Sequence, residues 1–245
     1  MRWFKADLHI HSVLSPCGGL EMSPLALMKR LKECSVEWLA ITDHNSMANC
    51  PAYEKVAKRE GLFFSWGVEI QSAEEIHVLA YFDDSAAAQA FDAELHSSLF
   101  PLENDADFFG DQVIIDENEN ILRVEQTALI NSSSWDLSMV VDRVQAFGGL
   151  AVPAHVDASV NSILSQLGFM PEEPEFALFG ITARLDVCAW LSEQPYFAAK
   201  SLLRASDAHY LADIGSGYSE LYLKSACVAE LQKAATLTAG RFIKR

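Results

Sequence analysis

The stretch ADLHIHSVLSPCGGLEM, residues 6–22, places two histidines one residue apart in an apolar run, shortly after an aspartate. Residues 4–11 have the composition of a β-strand, and alternate residues of a strand point to the same face. Asp7, His9 and His11 would therefore line one side of it. Two imidazoles placed in this way can bind one metal ion, but an HxH pair alone is a weak signal, so the other histidines must decide.

The bulk composition indicates a folded α/β protein. Half of the 245 residues are apolar and 21% are charged, which is enough for a sizeable core in a single domain spanning 1–245. No apolar run is long enough to cross a bilayer, and no signal peptide is evident. Five scattered cysteines without a CxxC pair are typical of a reducing compartment, so we expect a cytoplasmic protein with no membrane partner.

The charge balance limits the partners. With 34 acidic and 18 basic residues the net charge is −16, which disfavours broad binding to nucleic acid. A small anionic substrate remains compatible with this charge if bound cations reverse the field locally. Nothing in the sequence indicates the oligomeric state.

Short apolar runs alternate with amphipathic segments, which favours parallel βα units. Predicted helices cover residues 22–35, 51–61, 85–99, 137–147 and 227–239. Predicted strands cover residues 4–11, 37–44, 62–70, 76–82, 150–155, 175–181 and 201–209, the last being the final strand expected before the C-terminal helix. Between about 100 and 134 the chain turns polar and acidic, and QVIIDENENILRV, residues 112–124, predicts a hairpin. We interpret this segment as an insertion that decorates one end of the barrel and shapes substrate choice.

Six of the seven histidines fall at or near the ends of predicted strands, and only His96 lies in a helix. In a βα barrel the C-terminal ends of the strands converge on one mouth. Core histidines scattered for structural reasons would not collect there, so the set predicts a metal centre. Its members are His9, His11, His44, His77, His155 and His209, with the carboxylates Glu69 and Asp207.

The motifs DLHIHS, TDHN, the Glu69–His77 pair, PAH and SDAH occur in the order of the motifs of the PHP (polymerase and histidinol phosphatase) family, which the chain resembles over nearly its whole length. HIHSVLSPCGGLEM, FGDQVIIDEN, AVPAHVD, LGFMP and SDAHYLADIG further resemble a bacterial subgroup of predicted metal-dependent phosphoesterases. The resemblance implies a distorted (β/α)7 barrel with two or three divalent metals, Zn, Mn or Fe.

The resemblance also implies how the ligands are shared. His9, His11, Glu69 and Asp207 would hold the first metal. Glu69 would bridge to a second, bound by His77 and His155, and His44 and His209 would hold the third. Many members place an aspartate or histidine where this chain has Pro16, followed by Cys17. Either Cys17 substitutes as a soft ligand, which would favour zinc, or the third site is weak.

The implied reaction is hydrolysis of a small phosphomonoester by a metal-bridging hydroxide. Asp7 would partner an imidazole N–H, as Asp43 beside His44 would, unless Asp43 protonates the leaving oxygen. Arg204 and Arg184 are candidates to orient the phosphate.

Two rival interpretations stay open. The first is an amidohydrolase-type metal hydrolase, although such barrels usually add a lysine at a middle strand end, where this chain has Glu69. The second is a non-catalytic metal-binding PHP module, which the nearly complete ligand set argues against.

Overall fold

Residues 1–244, which the computed structural model describes, form eleven strands and eight α-helices, with two short 3-10 turns at Pro195–Ala199 and Thr238–Gly240. The strands are β1 Arg2–Asp7, β2 Trp38–Ile41, β3 Phe63–Gln71, β4 His77–Phe82, β5 Val113–Ile115, β6 Ile121–Val124, β7 Leu150–Pro153, β8 Leu178–Ile181, β9 Ser201–Arg204, β10 Ser219–Leu223 and β11 Phe242–Ile243. The helices are α1 Pro24–Glu33, α2 Cys50–Glu60, α3 Ser85–Ser98, α4 Ala106–Phe109, α5 Leu137–Ala146, α6 Ile163–Leu167, α7 Val187–Glu193 and α8 Val228–Ala235.

The main sheet is curled. Its seven strands follow the order β11-β10-β1-β2-β3-β4-β7, and β8 and β9 form a separate parallel pair. Beyond β7, the Val156 N–H donates to the Gly180 carbonyl at 2.9 Å. Beyond β9, the Asp207 N–H donates to the His9 carbonyl at 3.0 Å. The segment after β9 therefore lies beside the segment after β1. The C-terminal ends of several strands meet in this way at one rim of the sheet.

The α/β class is confirmed, but a count of seven βα units is not. β3 and β4 are antiparallel, with Gln71 opposite His77, and residues 72–76 join them without a helix. β4 also runs antiparallel to β7. Such a short connection cannot carry a parallel crossover, which needs a dozen or more residues.

The ends of the first two helices follow their local sequence. α1 begins after Ser23 with Pro24 in its first turn, where a missing N–H costs nothing. α2 ends at Gly61, whose φ of 75° is the left-handed conformation that favours glycine. Both helices were predicted at these positions.

The core has two parts, one on each side of the sheet. Side chains such as Phe4, Trp38 and Leu221 fill the inside of the curl, where α8 covers them. A larger set lies between the sheet and helices α1, α2, α3 and α5, with Phe91 at 0% exposure among its members. Burying a large apolar side chain is worth about 1.5–3 kcal/mol, so this packing holds the rim in place.

The strand β10 was not predicted, and the expectation that residues 201–209 form the last strand before the C-terminal helix is wrong. Ser219, Leu221 and Leu223 are buried, while Glu220 and Tyr222 between them are partly exposed, the alternation of a strand with one wet face. β10 pairs antiparallel with β1.

The hairpin at residues 112–124 is confirmed as β5 and β6. Within residues 1–244, no helix has the length and apolar character needed to span a bilayer.

Candidate metal centre

The rim of the curled sheet gathers the six predicted histidines and both carboxylates. Glu69 lies within β3, and the others stand just outside a strand or at its first residue. His9 and His11 follow β1, His44 follows β2, His155 follows β7, Asp207 and His209 follow β9, and His77 begins β4. His77 reaches the rim from the start of its strand because β4 runs opposite to β3.

Glu69 is the centre of the group. Its side chain is 1% exposed, and five imidazoles from four segments of the chain surround its two oxygens. The distances to Oε1 are 3.2 Å from His9 Nε2, 3.0 Å from His77 Nδ1 and 3.1 Å from His155 Nε2. The distances to Oε2 are 3.2 Å from His44 Nδ1 and 3.5 Å from His11 Nε2.

Asp207 supplies the second carboxylate. Its Oδ1 lies 3.2 Å from His9 Nε2 and 3.1 Å from His11 Nε2. His9, His11, Glu69 and Asp207 thus offer four ligand atoms within 4.8 Å of one another, and they are the four residues predicted for the first metal.

Two further groups of the same compactness divide the remaining histidines differently from the prediction. One group consists of His44, Glu69 and His77, and the other of His11, His44 and His209. His155, predicted beside His77, contacts Glu69 but belongs to neither group. His44 and His11 each take part in two groups.

Several buried nitrogens at the rim lack a hydrogen bond. His9 Nε2, His44 Nδ1 and His77 Nδ1 lie close to carboxylate oxygens but not aligned with them, and His155 Nδ1 is also unpartnered. An unsatisfied buried polar group costs about 1–3 kcal/mol, so native proteins rarely leave four together. Imidazole nitrogens with two carboxylates are the donor set that Zn, Mn and Fe accept. The residues present therefore fit a cluster of divalent cations.

The charges of the group are complementary. Burial alone would raise the pKa of Glu69, but the imidazoles around it, His77 and His9 first, hold that pKa well below its ordinary value. Burial likewise opposes ionisation of Asp207, whose pKa His9 and His11 nevertheless lower strongly. Both carboxylates are therefore ionised at neutral pH.

The imidazoles differ from one another. Burial would lower the pKa of His9, yet Asp207 and Glu69 raise it to about 9. Burial and the charge of His11 lower the pKa of His209 to about 4, and the same causes hold that of His44 well below its ordinary value. His44 and His209 are therefore neutral at pH 7, the state in which an imidazole can donate a lone pair to a cation.

The backbone is strained at two of these residues. His155 has a φ of 28° and Asp207 a φ of 53°, in the region that non-glycine residues rarely occupy. Such conformations cost about 1–3 kcal/mol each and cluster at functional sites.

Asp7 does not have the predicted contact with an imidazole. Its Oδ1 accepts the Ser206 N–H at 3.0 Å, and its Oδ2 has no hydrogen-bond partner. Burial raises the pKa of Asp7 to about 7. Through its bond to Ser206, Asp7 holds the loop that carries Asp207. The strand β1 ends at Asp7, so the strand alternation expected as far as His11 stops there.

Asp43 is buried beneath the rim and does not face the cavity. It accepts hydrogen bonds from the Ser12 N–H at 2.6 Å and from the Ser15 hydroxyl at 2.6 Å. Burial raises its pKa, against the charge of His11 and these donors. Its observed partners do not support the predicted transfer of a proton to a leaving group.

Neither predicted arginine lies at the rim. The Arg204 guanidinium donates to the carbonyls of Thr182, Ala183 and Leu185 at 2.7–3.0 Å, which uses it to hold a loop. Arg184 is exposed.

Cys17 belongs to none of the three ligand groups. Desolvation of its thiol, together with the charges of Glu69, Asp43 and Asp207, raises the pKa of Cys17 to about 12. That Cys17 is a soft ligand of the third metal stays a prediction.

Sequence reasoning missed Gln71 and Asn161. Gln71 Oε1 lies 3.1 Å from His77 Nε2, and Asn161 Nδ2 lies 2.8 Å from the same nitrogen. Gln71 follows Glu69 by two residues on one face of β3, a spacing that identifies it. Asn161 comes from a loop far along the chain, and no sequence signal marks it.

A cavity of about 470 Å³ opens beside the cluster. Among the residues that the structure describes, none of those lining it is a lysine or arginine. The lining residues outside the cluster are Gln71, Glu75, Ile130, Ala158, Val160, Asn161 and Thr182. Ile130 comes from the polar insertion, which therefore forms part of the wall.

Comparison with known proteins places these features in a family. The PHP domain model matches residues 7–150. A Bacillus subtilis (strain 168) protein described as uncharacterized protein YqxK is 34% identical over 101 residues, which cover 38% of this chain and 25% of YqxK.

Two solved structures share the fold. The lesion-specific endonuclease PfuEndoQ from Pyrococcus furiosus superposes with a TM-score of 0.75 at 16% identity, over 98% of this chain and 57% of that one. A two-domain protein from Bacteroides vulgatus, containing a predicted PHP-like metal-dependent phosphoesterase, superposes with a TM-score of 0.52 at 14% identity, over 99% of this chain and 64% of that one. The chain thus spans a quarter of YqxK and little more than half of PfuEndoQ. The residues matched by the family model are more than half of the chain and include the HxH, TDH and Glu69 segments of the rim. The chain therefore belongs to the PHP domain family.

Proposed function

We propose that this chain is a metal-dependent phosphoesterase that hydrolyses a small phosphomonoester. The observation that carries the proposal is the set of five imidazoles around the ionised Glu69, with unpartnered nitrogens aimed into the group. Two or three divalent ions, Zn, Mn or Fe, when bound, would lower the pKa of a water molecule towards neutrality and offset phosphoryl charge.

The chain's own residues set the conditions for this chemistry. Glu69 and Asp207 supply negative charge, which limits how tightly an anionic product is held. His44 and His209, being neutral, present lone pairs. Gln71 and Asn161 both contact His77 Nε2, which leaves His77 Nδ1 facing Glu69.

The cavity supports a small substrate. Its volume of about 470 Å³ lies in the range of small-molecule sites, roughly 300–1,000 Å³. Asn161 and Thr182 offer polar groups for the leaving alcohol, and Val160 and Ile130 offer apolar surface. Because no lining residue that the structure describes is a lysine or arginine, recognition of the phosphate rests on bound ions.

Cleavage of nucleic acid is the second candidate, favoured by the similarity to the lesion-specific endonuclease PfuEndoQ. The net charge of −16 weighs against it, because a polyanion gains affinity chiefly from lysines and arginines on its phosphates.

The test is a turnover screen of the protein reconstituted separately with zinc, manganese and iron. The substrates are a panel of phosphomonoesters, a duplex oligonucleotide with an abasic site, and an amide panel for the amidohydrolase alternative. We expect turnover of phosphomonoesters that stops on chelation. Turnover of the oligonucleotide alone would favour the second candidate, and inactivity on every phosphate ester would refute the proposal.

A matched pair of variants tests the site. His77→Ala removes a rim imidazole, whereas His96→Ala removes the one histidine outside the rim, on α3. We expect His77→Ala to lose at least about 100-fold in kcat/KM and His96→Ala to retain the activity of the wild type. Equal activity of both variants would show that the rim is not the reaction site.

A further inference from the structure

Ser15 is a fully buried hydroxyl between an acid and a rim histidine. Its Oγ lies 2.6 Å from Asp43 Oδ1 and 2.9 Å from His11 Nδ1. The His44 N–H also points to this oxygen, at 3.3 Å. One serine therefore contacts two histidine residues of the rim and a carboxylate below it.

The direction of these hydrogen bonds follows from counting hydrogens. Ser12 Oγ accepts from Asn49 Nδ2 at 3.0 Å and from the Leu14 N–H at 3.1 Å, so its own hydrogen is donated to Asp43. The Ser12 N–H is donated to Asp43 as well. Together with the Ser15 hydroxyl, which donates to its Oδ1, Asp43 thus accepts three hydrogen bonds from this segment.

Ser15 then has one possible role. A hydroxyl carries a single hydrogen and two acceptor lone pairs. Its hydrogen goes to Asp43, so Ser15 Oγ accepts from His11 Nδ1 and from the His44 N–H. His11 must therefore carry a hydrogen on Nδ1. Its Nε2, which lies 3.1 Å from Asp207 Oδ1, is the nitrogen left to face the cluster.

We infer that Ser15, held by Asp43, is a positioning residue that fixes His11 with the Nδ1–H inward and the Nε2 lone pair towards the bound cation. The inference rests on the metal binding of the proposed function and names two residues of this chain that tune it. Oriented histidine ligands bind metal more tightly, and loss of the orienting partner typically costs about 10- to 100-fold in affinity.

The same network reaches the polar insertion. Asn49 donates from Nδ2 to the Val113 carbonyl at 3.0 Å and accepts the Ile115 N–H at 3.0 Å. Both bonds are to the strand β5. The hairpin of the insertion is therefore tied to His11 through Asn49, Ser12, Asp43 and Ser15 in turn.

The experiment uses the 15N-labelled full chain loaded with zinc, which is diamagnetic. In the wild type we expect a slowly exchanging imidazole N–H signal, assigned to His11 Nδ1 through its loss in His11→Gln. Ser15→Ala should lose this signal and bind zinc about 10- to 100-fold more weakly in equilibrium dialysis. The matched control is Ser65→Ala, which removes a buried serine hydroxyl near the start of β3, at the end of the strand away from Glu69. The Ser65 hydroxyl accepts a hydrogen bond from Trp38 Nε1.

The outcomes separate this inference from the proposed function, because neither readout uses a substrate. A wild-type spectrum without a His11 Nδ1–H, zinc affinity unchanged in Ser15→Ala, or no zinc binding at all would overturn the inference. Expected signals in a protein that hydrolyses no phosphate ester would overturn the proposed function alone. The presence or absence of the His11 Nδ1–H signal in the wild-type spectrum tests the inference even if Ser15→Ala does not fold.

Discussion

Replacing Glu69 with glutamine should remove most of the metal binding while keeping the shape of the site. Glutamine has nearly the same volume, but it lacks the charge and turns one acceptor into an N–H donor. Glu69 belongs to two of the three ligand groups, and the group of His11, His44 and His209 does not include it. We therefore expect the ions held by two groups to be lost and any ion of the third group to be retained.

The size of the effect follows from the charge removed. Unit charges about 4 Å apart attract with about 4 kcal/mol at an effective dielectric constant of about 20. Since tenfold in affinity corresponds to about 1.4 kcal/mol, losing one such interaction weakens binding by about 1,000-fold.

The assay is equilibrium dialysis against defined free zinc, with bound metal counted by mass spectrometry and the fold checked by circular dichroism. The matched control is Glu75→Gln, because Glu75 is an exposed glutamate that lines the same cavity but belongs to none of the groups. We expect the control to bind zinc like the wild type. If a folded Glu69→Gln variant binds as many ions with unchanged affinity, Glu69 is not a ligand and the assignment of the site is refuted.

Three further predictions concern other parts of the molecule. Gly110→Ala should destabilise the chain by at least about 3 kcal/mol in denaturant titrations, because φ there is 105° and an added Cβ would lie 2.0 Å from the Pro16 carbonyl oxygen. Gly61→Ala, with a φ of 75° and no atom within 4 Å, should cost only about 1 kcal/mol, and equal losses would contradict the clash. The hydrogen bond from Arg241 lowers the pKa of Glu230 from 4.5 to about 2. The ionised Glu230 carboxylate therefore stabilises the folded chain above pH 4.5, and this stabilisation is lost as the pH falls towards 2. Glu230→Gln should therefore be less stable than the wild type at pH 6 and similar to it near pH 2, and a stability difference that does not change with pH would count against this pairing. Chelation should abolish phosphate ester turnover and added zinc, manganese or iron should restore it, whereas turnover in excess chelator would exclude a metal-dependent reaction.

The clustering of these histidines and carboxylates could be predicted from the sequence because it depends on periodicity and on strand ends. Buried strands are short apolar runs, and polar residues such as His44 and His155 follow them directly. The convergence of these residues needs only that strand ends meet at one rim, which holds although β4 is antiparallel. The reversed direction of β4 could not be inferred from its composition, because an apolar run has the same composition whichever way the strand points.

The features that the sequence did not reveal are contacts between distant segments. Arg204 has the spacing of a phosphate-binding residue, but its partners are carbonyls at positions 182–185, which sequence spacing does not reveal. Asp7 contacts a backbone N–H in a loop 199 residues away. The strand β10 was missed because Glu220 and Tyr222 interrupt its apolar residues. Such pairings depend on how the sheet curls, and a local pattern carries no record of that curvature.

The closing contact between His9 and Asp207 has a consequence for biogenesis. The two side chains are 3.2 Å apart, yet nearly two hundred residues separate them along the polypeptide. A ribosome must therefore translate past position 207 before the first group of ligands is complete. The three residues of the group of His44, Glu69 and His77 have all been translated by position 77, so the nascent chain holds that group long before it holds Asp207. Of the ions proposed above, the one at His9, His11, Glu69 and Asp207 would therefore be captured only once synthesis has passed position 207.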